Sequence, residues 1–322
     1  MDCFQPPPLL FKILTHSMNV FSLPAYFIAL FSLLSIKSRV FHTYKLFLIW
    51  HLFENLCFEM FVAFLVVPAV NPPYPVLRTT GILSQAGLSG LVQFYIVSLS
   101  LEFNGISINE MFYFRYKASL LNFREHKFTF FLRSFIYLTR SVAIFDVLFC
   151  ILTYEDAAAS QEVQKTSLLK SDPASWFLSC PSVFLMTPSR DIISSVLLIT
   201  WILQAFAPIL TVPGTVVYIS RNVHKTISSA TWKIQQQLLR SLTIQTAIHS
   251  FMLGVPNLMF IYAFSFGFEE ETLGYLAFLF LIYHGFVSTL SMIIFTKPLR
   301  EHILEVLRLK KKTTTKVSVS LS

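Results

Sequence analysis

Seven apolar stretches set the rhythm of this chain, at 13–35, 46–70, 81–109, 134–152, 193–219, 241–265 and 273–296. A hydrocarbon core about 30 Å thick takes about 20 helical residues to cross, at a rise of about 1.5 Å each. Each stretch reaches about that length. The pattern predicts an all-α membrane protein, a seven-transmembrane helix bundle spanning 13–296. Residues 1–12 are expected to form an extracellular tail, and 297–322 a cytoplasmic amphipathic helix followed by a disordered tail.

The connecting segments orient the bundle, because cytoplasmic loops accumulate lysine and arginine. Segments 36–45, 110–133, 220–240 and 297–322 hold 19 of the 25 basic residues, whereas 1–12, 71–80, 153–192 and 266–272 hold 5. The remaining one, Arg140, falls inside the fourth stretch and is a candidate to snorkel to the inner surface. The N-terminus is therefore expected outside. The first stretch is longer than a signal-peptide core and is expected to act as its own insertion signal. A tail of 12 residues is too short to form a ligand-binding domain, so any ligand is expected at the helices and outer loops. No Asn-x-Ser/Thr sequon occurs, and N-glycosylation is not expected.

Composition removes the soluble alternatives. Hydrophobic residues make up 54% and charged ones only 13%, against about 25% charged in an ordinary soluble domain. The formal charge of +8 sits in short loops beside spans, so it reads as orientation and contact with anionic inner-leaflet lipids rather than nucleic-acid binding. No HExxH helix, GxSxG elbow, phosphate-cradling glycine loop or paired-cysteine metal site occurs. His and Glu residues lack ligand spacing. No enzyme activity, metal or cofactor is expected.

Four cysteines are present. Cys57 and Cys150 lie within spans and read as small buried hydrophobes. Cys180, in the second outer loop, has Cys3 as a candidate partner in the oxidising exterior, a pairing the sequence leaves open. That loop, 153–192, reads equally as a lid over the bundle or as a surface loop. The acidic third outer loop, with Glu269, Glu270 and Glu271, reads as solvated.

Ionisable and polar residues at membrane depth are costly and are functional candidates by default. They are Glu54 and Glu59 in the second span, Glu102 and Asn104 in the third, Arg140 and Asp146 in the fourth, Gln204 in the fifth, Gln245, His249 and Asn257 in the sixth, and His284 in the seventh. Their depths suggest that Glu54 approaches His284, Ser288 and Thr289. Such a cluster reads either as a proton-sensitive switch or as a structural hydrogen-bond network. Pro68, Pro208, Pro213 and Pro256 lie in or near spans, where a missing N–H and a ring clash bend helices. After the last span, LREHILEVLRLKKK places Leu299, Ile303, Val306 and Leu307 on one face, an amphipathic helix suited to the inner interface. Thr313, Thr314, Thr315, Ser318, Ser320 and Ser322 beyond it are candidate phosphorylation sites.

The exit of the seventh span, YHGFVSTLSMIIFTKPLR at 283–300, carries His284, Gly285, Ser288, Thr289, Lys297, Pro298 and Arg300. This stretch resembles the HG-x-x-ST and K-P-Y-R pattern of the nematode serpentine chemoreceptors, the Srh and Sri families of the Str superfamily. Leu299 stands where those families usually have Tyr. KIQQQLLRSLTIQTAIHSFMLGVP in the sixth span, HTYKLFLIWHLF in the second and the Pro68–Gly81 turn resemble them as well. The resemblance implies a G-protein-coupled chemosensory receptor for a small-molecule odorant or other environmental chemical, in the ciliary plasma membrane of a chemosensory neuron. It implies a heterotrimeric G protein as partner, met by Arg115, Lys117, Arg221, Lys225, Lys233 and Arg240 on the inner loops. The competing expectations are a seven-helix ligand-gated channel, a carrier, or a receptor homologue that does not signal. Paired halves of the kind many carriers show are absent, and a channel with its N-terminus inside conflicts with the loop charges.

Overall fold

The computed structural model describes residues 3, 5–37, 42–71, 76–119, 127–185, 229–266 and 270–306. The fifth apolar stretch, with Gln204, lies outside these, as do Arg221, Lys225 and everything beyond Val306. The described helices are α1 (Leu9–Ser35), α2 (His42–Met60), α3 (Ile82–Gln85), α4 (Gly90–Ser119), α5 (Lys127–Leu152), α6 (Tyr154–Ser171), α7 (Ser229–Phe266), α8 (Glu271–Phe295) and α9 (Lys297–Val306). Three short strands join them: β1 (Pro68–Val70), β2 (Val76–Thr79) and β3 (Val183–Leu185). By length and composition α1, α2 with its continuation to Val66, α4, α5 and α8 each suffice to cross a membrane. α7 packs along α8, α2 along α4 and α8, and α1 along α8.

Element boundaries depart from the apolar pattern where a turn outweighs hydropathy. α2 passes into a π-helical turn at Phe61–Val66, whose last bond joins Val67 N–H to Val62 C=O at 3.1 Å. Val67 then adopts a left-handed φ of 43°, rare for a β-branched residue. Pro68 follows and cannot continue a helix. The chain leaves the stretch 46–70 as strand rather than helix. The stretch 81–109 is also divided: α3 closes within a turn and α4 starts afresh at Gly90, with Val92 N–H meeting Ser89 Oγ at 3.4 Å. Only a glycine fits at position 90, because a β-carbon there would lie 2.6 Å from Ser182 C=O. α4, α5 and α7 instead run past the apolar residues at their inner ends, to Ser119, from Lys127 and from Ser229.

A three-stranded antiparallel sheet, not foreseen in the hydrophobic pattern, caps the outer end. β2 lies between β1 and β3, with Ala69 opposite Arg78 and Leu77 opposite Phe184. The second outer loop thus combines a helix, a 3₁₀ turn at Trp176–Ser179 and β3. Gln161 of α6 covers the free edge of β3, its amide accepting from Leu185 N–H at 2.8 Å and donating to Leu185 C=O at 3.0 Å. Phe184 stacks on Phe94 of α4 with ring centroids 4.2 Å apart. These contacts seat the loop on the helices as a lid.

Cys3 and Cys180 form a disulfide with Cα atoms 5.6 Å apart. The bridge ties the N-terminal tail to the lid across 177 residues of sequence. Buried Arg78 reinforces the tie, donating to Cys3 C=O at 3.2 Å and to Asn71 Oδ1 at 3.4 Å. A disulfide belongs to an oxidising compartment, which is the exterior that the loop charges predict for this end. At the inner end α9 turns along the bundle and packs on α1 and α8, burying Leu299 and Ile303. Proteolysis without reductant should release one cross-linked fragment containing Cys3 and Cys180, resolved by reduction in mass spectrometry. Cys180→Ser should lower the thermal midpoint in detergent, in line with the ~2–5 kcal/mol that loss of a native disulfide costs.

Candidate functional site

Two apolar clusters divide the bundle interior by depth. The outer one gathers Phe58, Leu101, Phe278 and Ile282, and the inner one Leu48, Met111, Met292 and Leu299. Between the clusters, buried polar residues recur along α2, α4 and α8: His51 and Asn55, Asn104 and Ser107, His284 and Ser288. Spacings of three and four residues put each pair on one helix face. The result is a buried polar layer between two greasy ones.

His51 is its hub. Nδ1 lies 2.7 Å from Ser107 Oγ on α4, and Nε2 lies 3.3 Å from Ser288 Oγ on α8 and 3.2 Å from Asn55 Nδ2 one turn along. Asn55 accepts from Asn104 Nδ2 at 2.6 Å, and Ser107 donates to Asn104 C=O at 2.7 Å. His249 of α7 closes over His51 with ring centroids 4.9 Å apart, and His284 meets His249 edge to face at 5.5 Å. Three imidazoles therefore stand in a row through α2, α7 and α8. Their Nδ1 atoms are engaged, that of His249 by Gln245 C=O at 3.1 Å and that of His284 by Leu281 C=O at 2.5 Å. His249 Nε2, His284 Nε2 and both amide atoms of Asn257 have no hydrogen-bond partner among the described residues, although all three residues are at least 97% buried. Buried polar groups are normally paired.

A second branch runs to α1. Glu59, two turns along α2 from His51, receives hydrogen bonds from Ser22 and from Tyr26 at 2.9 Å. Gly285 lets α8 come close at this point: a β-carbon there would collide with the Tyr26 hydroxyl and stand 3.2 Å from Asn55 C=O. Among the motif residues of the seventh span, His284, Gly285 and Ser288 thus line the layer, and Thr289 is buried beside them. Lys297 and Pro298 begin α9, and Arg300 donates to Ile294 C=O at 2.9 Å.

Other candidates are placed elsewhere. Glu54 is buried beside Cys57 rather than bonded to His284. Glu102 of α4 faces Asp146 of α5, both buried, with Cys150 one turn beyond. A proton held between two carboxyl groups turns such a pair from repulsive to bonding. Arg140 pairs with Glu110 of α4, N···O 2.5 Å. Lys117, Lys233 and Arg240 are exposed on the inner extensions of α4 and α7, and the side chain of Arg115 lies outside the described residues. His51 and Asn55 are not among the expected residues, yet the spacing of His51, Asn55 and Glu59 at i, i+4 and i+8 marks one polar stripe.

Gly285→Ala should cost about 1–3 kcal/mol of stability through overpacking, read as a lower thermal midpoint in detergent, and Tyr26→Phe in the same chain should restore part of it. Asn55→Leu should cost about 1–3 kcal/mol by stranding Asn104 and His51.

A family model described as serpentine type 7TM GPCR chemoreceptor Srh matches residues 7–309. Among curated proteins none matches the chain.

Proposed function

This chain belongs to the Srh family of serpentine type 7TM GPCR chemoreceptors, and on that footing we propose that it detects a small environmental molecule and activates a heterotrimeric G protein. The observation that carries the reading is the buried polar atoms of His249 and His284 in the layer, and of Asn257 two turns further along α7, which lack hydrogen-bond partners among the described residues and sit on two helices packed along each other. A ligand that bonds there gains affinity only in the packing of α7 against α8 that presents those atoms together. Binding then selects that packing, and selection of one packing over another is what couples a ligand to a distant face. α7 carries the change inward, since it runs as one helix to Ser229 from Pro256, next to Asn257.

At the inner face the G protein meets the extensions of α4 and α7, with Lys117, Lys233 and Arg240 as contacts. Arg115, Arg221 and Lys225 complete the basic set proposed for that surface. Glu54, Glu59, Glu102, Asn104, Gln204, Gln245 and Ser288 stand in the proposal as the polar interior that holds the two packings apart. The site of action is the ciliary plasma membrane of a chemosensory neuron.

The test is expression with an N-terminal epitope in cells carrying promiscuous G proteins, with odorants screened for a second-messenger response. The tag should be detected without permeabilisation, and the response should vanish when G-protein coupling is blocked. Asn257→Leu should raise the half-maximal ligand concentration about tenfold, equivalent to about 1.4 kcal/mol, with surface expression unchanged. A ligand-evoked current that survives the block would overturn the proposal.

A further inference from the structure

Arg133, Tyr137 and Arg140 share one face of α5, at positions i, i+4 and i+7. Both guanidinium groups lie over the Tyr137 ring, Arg133 at 5.6 Å and Arg140 at 5.9 Å from its centroid. All three side chains are exposed on a helix whose other large exposed side chains are apolar, Phe131, Leu138 and Phe145 among them. α5 is the least buried of the candidate spans, with 28% of its apolar window enclosed against 44–56% in the others. Among the described residues nothing covers this face, which leaves it open to lipid.

Depth decides what the arginines reach. α5 begins at the inner surface, and side chains on a helix tilt toward its N-terminus. Arg133 stands four residues inside the start of the span at Thr129, about 6 Å. It reaches the headgroup level directly. Arg140 starts about 16 Å in, and its side chain leads inward past Tyr137 to Glu110, which takes up its charge. Among the described residues Arg133 has no carboxylate partner, and within that set the cluster carries one uncompensated positive charge. The inner leaflet supplies the complementary species, since its anionic lipids attract basic groups at the surface.

We propose that Arg133, Tyr137 and Arg140 form a binding site for the phosphate of an anionic inner-leaflet phospholipid. Arg133 holds the phosphate as a forked donor, the geometry in which a guanidinium binds phosphate oxygens. Tyr137 fixes the plane of that guanidinium by stacking, and the Arg140–Glu110 pair anchors the opposite side of the ring to α4. The acyl chains run outward along the exposed apolar face of α5. A lipid held in this way bridges α4 and α5 at the inner end, independently of any ligand in the polar layer.

The full chain, reconstituted in nanodiscs of phosphatidylcholine containing a photo-crosslinkable phosphatidylserine, tests this. Crosslinks mapped by mass spectrometry should concentrate in 127–152. Arg133→Gln should reduce them about fivefold, the loss expected for one basic contact at the surface. Arg133→Lys should retain part of the labelling, Tyr137→Phe most of it, and Tyr137→Leu markedly less. Glycerophosphate in solution should not compete. Lys117→Gln and Lys233→Gln, which remove exposed inner cations elsewhere, should leave the labelling of 127–152 unchanged. An unchanged thermal midpoint in Arg133→Gln shows that folding is intact. Labelling of Arg133→Gln equal to the parent, or an equal loss in Lys117→Gln or Lys233→Gln, overturns the site in favour of diffuse attraction to the inner surface.

Discussion

Every polar group carried into the hydrocarbon must find its partner inside the protein, and this bundle is arranged around that constraint. Water is not there to complete a stray amide or imidazole. Part of the answer is a layer at one depth, where Ser107, Ser288 and Asn55 bond to His51 and Asn104 bonds to Asn55. That ring is held from both sides, by Ser107 and Ser288, so α2, α4 and α8 share one register. A slide of any one helix by a turn would carry His51 into the apolar cluster above or below. The greasy layers set how closely the helices pack, and the polar layer sets how they align.

The two ends of the molecule are built on different principles. The outer end is fixed by covalent and backbone bonds: a disulfide, an antiparallel sheet, and Gln161 closing the sheet's edge. The inner end is held by side-chain packing around Tyr44, Met292 and Leu299, by one ion pair between α4 and α5, and by a short helix turned along the bundle. Sheet bonds and disulfides resist deformation, whereas packed apolar side chains exchange one arrangement for another at lower cost.

Much of the architecture was legible in the chain because hydropathy over 20 residues is a coarse signal that tertiary contacts rarely overrule. The helices α1, α2, α4, α5, α7 and α8 occur where apolar stretches predict them, and α9 follows from the spacing of Leu299 and Ile303. The sheet was not legible. Its strands have three or four residues each, and what makes Val76–Thr79 a strand is its position between two others drawn from distant parts of the sequence. The polar candidates were visible one by one, since a carboxyl or an imidazole in a span stands out. Which of them meet was not, because that depends on the relative rotation and rise of separate helices. Glu102 and Asp146 belong to different helices, and nothing in either segment names the other. Glu54 and His284, matched by depth alone, point to different neighbours.

The length of α7 carries a mechanical consequence. From Pro256, where the backbone lacks one hydrogen bond, to Ser229 the helix measures about 40 Å at a rise of 1.5 Å per residue. A swing of about 10° at the proline would displace the far end by about 7 Å, more than one helical turn of 5.4 Å. A rearrangement at Asn257 no larger than the width of an atom would thus be amplified into a displacement the size of a side chain, a gain set by the distance from fulcrum to tip.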